Sequence, residues 1–106
     1  MQPSGSSETI TSSFSHDADM VELIEMFVDE LPDRVAALND AFESESWDTL
    51  KTLSHQLKGA APGYGFEPVG TAAAEVERLL KSSPAADELN DAVQSLLAVC
   101  KRVALA

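Results

Sequence analysis

The residues best suited to chemistry lie within "SHQLKGAAPGYGF", positions 54 to 66, where His55, Lys58 and Gly59 interrupt what otherwise reads as the end of an amphipathic helix. On a helix of 3.6 residues per turn with Leu50 at zero, Leu53, Leu57, Ala60 and Ala61 fall within roughly 80°, whereas His55 lies near ~140°. Lys51 and Lys58 lie near ~100° and ~80°, and Asp48 and Gly59 near ~160° and ~180°. The histidine therefore faces away from the apolar stripe, with cations beside it. A free imidazole, with its reference pKa of about 6.5, is largely unprotonated at neutral pH and is a good nucleophile. A phosphoryl group on one ring nitrogen would add negative charge that Lys58, one turn away, partly neutralises; the other nitrogen would need an acceptor to fix its tautomer. Gly59 costs about 1 kcal/mol of helix propensity relative to Ala, which points to a need for clearance there. The spacing alone fits equally well a solvated histidine and a helix that frays at Gly59.

Other chemistries are poorly supplied. His16 and His55 are far apart and Cys100 is the single thiol, so no metal site is expected and no internal disulfide can form. Eighteen acidic residues against seven basic ones give a formal charge of −11, which disfavours nucleic acid and anionic membrane surfaces as partners. No long apolar run or signal-type segment opens the chain, and a cytoplasmic setting is expected. There is no Gly-rich nucleotide loop, which excludes a self-sufficient kinase.

The elements that must position His55 follow from periodicity. The 106 residues suit one domain, and an apolar content dominated by Ala, Leu and Val favours helix on helix. Residues 1–15, rich in Ser, Thr, Gly and Pro, read as a flexible tail or linker, and residues 16–106 as the folded domain. Met20, Leu23, Ile24, Phe27, Val28 and Leu31, continued by Val35, Leu38 and Phe42, recur at helical spacing, with Pro32 expected to kink the helix or divide it in two. Ser46 is expected to cap a second helix with the stripe Trp47, Leu50, Leu53 and Leu57, ended by Pro62, Gly63 and Gly65. Pro68 opens a third helix lined by Val69, Ala73, Val76 and Leu80; Ser83 and Pro84 open a fourth lined by Leu89, Val93, Leu96 and Cys100. Short connections imply an all-α, up-and-down antiparallel four-helix bundle with a short N-terminal helical extension. Trp47, Tyr64 and Phe66 read as packing residues at helix ends and Cys100 as core.

The chain resembles the histidine-containing phosphotransfer (HPt) domains of multistep two-component signalling. His55, Leu57, Lys58, Gly59 and Gly65 match the order H-x-L-K-G-x-x-x-x-x-G, and "FVDELPDRVAAL" at 27 to 38 and "AAAEVERLL" at 72 to 80 extend the likeness over roughly residues 18 to 104. The resemblance implies that His55 is phosphorylated through Nε2, that Lys58 steadies the phosphoryl group, and that Gly59 leaves the histidine open to a docking receiver domain. It also implies that Glu77, twenty-two residues after His55, accepts from Nδ1. Lys81 would extend the positive surround; the plainer reading of Glu77 and Lys81 is an exposed i, i+4 pair worth a few tenths of a kcal/mol. Lys51 and Gln56 complete the expected docking surface. Pro62 departs from the pattern and is expected to end its helix early.

What the resemblance implies in function is a phosphorelay intermediate that takes a phosphoryl group from a receiver-domain aspartate and passes it to another receiver. Response-regulator receivers and a hybrid histidine kinase would be its partners, and it would act as a monomer. It would be a phosphocarrier without kinase or phosphatase activity of its own, needing no cofactor, with Mg²⁺ held by the receiver. The alternatives are the phosphoacceptor domain of a chemotaxis-type kinase and a non-catalytic helical adaptor. A kinase dimerisation helix would place an acidic residue directly after the histidine, where Gln56 stands, and the D-S-L attachment motif of an acyl carrier protein is absent.

Overall fold

Apolar side chains at spacings of three and four residues wind four segments into helices, and burying those stripes against one another sets the architecture. A computed structural model describes residues 9–82 and 85–103. The helices are α1 (Val21–Glu43), α2 (Trp47–Gly63), α3 (Glu67–Lys81) and α4 (Ala86–Lys101). Each packs on its chain neighbour and α4 returns to α1, closing the bundle. Phe27, early in α1, stacks on Tyr64 and Phe66 beyond the end of α2, with ring centroids 4.9 and 5.5 Å apart, so the two helices run antiparallel. The core holds Ile24, Leu38, Leu50, Leu57, Val76, Val93 and Leu96, with Cys100 buried beside them. Burial pushes the Cys100 thiol up to about 11, which makes it a small apolar core residue.

Several local expectations are corrected. Of the kink or division expected at Pro32, the division does not occur: α1 runs unbroken through it. The cost of the lost hydrogen bond, about 3 kcal/mol, is outweighed because Phe27 and Leu31 before it and Leu38 and Ala41 after it share one core. By contrast, α2 ends at Gly63, within the Pro62, Gly63 and Gly65 run expected to end it. Ser46 occupies the N-cap of α2, but its side chain makes no capping bond. Trp47 is not part of the buried stripe: it is 42% exposed and leans on Phe42 with centroids 6.1 Å apart.

The α1–α2 corner is a Schellman turn. Ser46 N–H donates to Ala41 O at 2.9 Å and Glu45 N–H to Phe42 O at 3.1 Å, which puts Glu45 at φ 56°, the left-handed position usually held by Gly. Ser83 and Pro84, expected to open α4, lie outside the described residues, as do residues 1–8 of the expected tail and residues 104–106. At α4 the Ala85 N–H donates to Glu88 Oε1 at 3.3 Å; alanine has no oxygen to return, so only half of a capping box is made. Ahead of α1 the extension takes the form of i→i+3 turns from Ser12 to Met20. Residues 9–15, placed in the tail by composition, lie against the bundle: Ile10 N–H donates to Arg102 O at 2.7 Å, and buried Ser12 donates to Tyr64 O at 2.6 Å.

Candidate functional site

His55 lies in the middle of α2, on its outer side toward α3, because Leu50, Leu57 and Ala61 take the buried stripe. Its side chain is 65% exposed. On α3 the stripe of Val69, Ala73 and Val76 turns the adjacent Glu77 inward at the seam between the helices, where its side chain is only 6% exposed. A carboxylate at that depth must be matched by donors.

Three side chains supply them. Lys58 Nζ stands 2.7 Å from Glu77 Oε1, His55 Nδ1 lies 2.8 Å from Oε2, and Lys81 Nζ lies 3.5 Å from the same Oε2. The bond from Lys58 is the largest influence on Glu77 and, with the bond from His55 and the charges of Lys58 and Lys81, outweighs the opposing effect of burial. Together they hold its carboxyl down at about 2, so it is ionised near neutrality. An ionised carboxylate only accepts, so the proton of a neutral His55 ring sits on Nδ1 and the lone pair on Nε2. The exposed ring is thereby a nucleophile of fixed tautomer.

The surroundings keep this nitrogen open. A Cβ at Gly59 or Gly63 would meet nothing within 4 Å, so the surface one and two turns beyond His55 is bare. Lys51 and Gln56 are exposed and make no hydrogen bond or ion pair among the described residues; they flank the site without entering it. The structure thus brings His55, Lys58, Glu77 and Lys81 together, with Gly59 as clearance.

Three features had escaped the sequence reading. Lys58 and Glu77 are directly paired, although each has its own place in the motif. Gly70 lets α3 approach α2, since a Cβ there would lie 2.7 Å from Pro62 Cγ; a glycine inside a helical pattern was the available signal. Ser54, beside His55, is fully buried with no partner for Oγ among the described residues, and no signal marked it. No helix among the described residues is long and apolar enough to cross a membrane. Nor do those residues gather three or more His, Cys, Asp or Glu side chains able to hold a metal ion.

The family model of the Hpt domain matches residues 22–104. A phosphorelay protein LuxU from Vibrio vulnificus strain YJ016 is 35% identical over 71 residues, covering 67% of this chain and 62% of the relative. The protein of that name from strain CMCP6 matches to the same extent. The chain thus spans 62% of the length of these curated relatives. No solved structure matches it.

Proposed function

The chain belongs to the Hpt domain family, and from that premise we propose that it is a histidine phosphotransfer protein of a multistep phosphorelay. One observation carries the reading: an exposed His55 whose Nδ1 is held by Glu77, leaving Nε2 free toward solvent. The name of the curated relatives, phosphorelay protein, supports it.

In the proposed transfer the Nε2 lone pair attacks the phosphorus of a receiver's aspartyl phosphate. The new P–N bond forms as the P–O bond to the aspartate breaks, and the aspartate leaves as a carboxylate. The imidazole becomes a cation with its proton still on Nδ1, and the Glu77 carboxylate 2.8 Å away balances that charge. Lys58 and Lys81 are the cations placed to meet the added phosphoryl charge. The same steps in reverse deliver the group to a second receiver. Mg²⁺ belongs to the receiver in this reading. Receivers and a hybrid histidine kinase are the proposed partners, Gly59, Gln56, Lys51 and Lys81 the proposed docking surround, and a cytoplasmic monomer the proposed working form.

The test is phosphoryl transfer from phosphorylated receiver domains to the wild type and to His55→Gln. Acid-labile, alkali-stable label on the wild type alone is expected. Label on neither protein across a complete set of receivers, with both folded, would refute the relay.

A further inference from the structure

At the end of the bundle where α1 passes to α2 and α3 gives way to α4, Phe42, Trp47, Leu80 and Leu89 line an open apolar groove. Trp47 lies eight residues before His55 on α2, roughly 12 Å along the helix axis, so the groove does not include the histidine itself. A tryptophan 42% exposed on a small domain, resting on a phenylalanine, is an apolar surface left open by the described residues.

The charged residues that line it have one sign, with Lys51 one turn beyond Trp47 on α2. The two ionisable residues that line the groove are Glu43 and Glu45, and Asp48 follows Trp47 on the rim. Lys81, next to Leu80 in sequence, is turned to Glu77. Glu45 adds a second, independent observation: it holds φ 56° at the C′ position of a Schellman turn, where Gly relieves the strain. The turn fixes where the Glu45 side chain leaves the backbone, at the mouth of the apolar groove.

We infer that this groove docks an amphipathic, lysine- or arginine-bearing segment of a protein partner, with Trp47 as the apolar anchor and Glu43 and Glu45 as counter-charges. Aromatic anchors in partly desolvated pockets carry most of the energy of such contacts, and rim charges select the partner's sign.

The sequence holds a single tryptophan, so Trp47 emission reports on the groove directly. The probe is an amphipathic Leu/Lys peptide about twelve residues long, with a Leu/Glu peptide as control. A saturable blue shift of Trp47 emission with the Leu/Lys peptide alone is expected, weakening as salt rises from roughly 0.05 to 0.5 M. Glu45→Lys is expected to weaken binding by about tenfold, and Trp47→Ala, followed by calorimetry, by at least as much. Glu25→Lys, on an exposed site of α1, makes the same change in net charge and should leave affinity within about threefold. Thermal melts check that each variant is folded. No saturable shift, an equal response to the Leu/Glu peptide, or equal weakening by Glu25→Lys would overturn the proposal. So would emission that depends on protein concentration without peptide, which would assign the groove to a second copy of this chain. These outcomes are independent of phosphoryl transfer to His55.

Discussion

Lys58 Nζ and Glu77 Oε1 stand 2.7 Å apart, so the cation proposed to steady a phosphoryl group is already paired before any phosphoryl group arrives. Glu77 is therefore shared: one oxygen holds Lys58, the other accepts from His55 Nδ1 and lies near Lys81. A phosphoryl group on Nε2 would draw the two lysines toward itself, while the bond to Nδ1 would strengthen as the ring becomes cationic.

The tautomer of His55 follows from this arrangement. Glu77→Gln leaves a single acceptor oxygen for which Lys58 and Nδ1–H compete, whereas Glu77→Ala removes both acceptors. Imidazole ¹⁵N chemical shifts at alkaline pH should therefore report the Nδ1–H form in the wild type. A substantial Nε2–H population should appear in Glu77→Ala, with Glu77→Gln in between. Phosphoryl uptake should fall by about tenfold or more in the alanine variant, the scale of a lost positioning contact, and less in the glutamine variant. An Nδ1–H ring in Glu77→Ala would show that something else sets the tautomer.

The same carboxylate makes the fold sensitive to acid. Its folded pKa, about 2, lies below the ordinary value of 4.5, so the unfolded chain takes up its proton first. Its stabilising contribution is fully present above about 4.5 and is lost as the pH falls toward about 2. Urea unfolding across that window should show declining stability in the wild type, with a shallower decline in Glu77→Gln, which has no carboxylate to titrate. Equal slopes in the two proteins would contradict this origin.

The helices and the site were legible to different degrees. Leu50, Leu57, Val76 and Val93 were readable as core because burial follows a 3.6-residue period, and His55 was readable as exposed by the same count. Glu77 carried a place in the family pattern, yet its burial and its bond to Lys58 depend on how closely α3 packs on α2, which no single helix encodes. Trp47 was misplaced because apolarity and spacing assign it to the stripe, although it lies in the first turn of α2, beside the open end of the bundle. Pro32 shows local propensity yielding to the core shared by the turns on either side of it, whereas α2 stops at Gly63, one residue past Pro62, as local propensity predicts.

Two glycines on facing helices should respond with opposite signs. At Gly70 a Cβ would lie 2.7 and 2.9 Å from Pro62 Cγ and Cδ, so Gly70→Ala must push α3 from α2 and should destabilise by about 1–3 kcal/mol. At Gly59 nothing lies within 4 Å, so Gly59→Ala should gain about 0.5–1 kcal/mol from helix propensity. Chemical denaturation of the two variants checks both signs. A gain at Gly70 would mean that the interface relaxes at little cost.

Glu45 separates stability from recognition. Its left-handed backbone costs a side-chain-bearing residue roughly 1–2 kcal/mol, and Gly gives back part of the relief through its greater freedom in the unfolded chain, so Glu45→Gly should stabilise by about 0.5–1 kcal/mol. The two Schellman hydrogen bonds, from Glu45 N–H and Ser46 N–H, involve only backbone and survive the change. The same substitution removes a carboxylate from the rim of the groove beside Trp47. Thermal melting should therefore move up while affinity for the Leu/Lys peptide moves down, and phosphoryl uptake by His55 should stay unchanged. A variant gaining stability with no loss of peptide affinity would show that the strain at Glu45 serves something other than this groove.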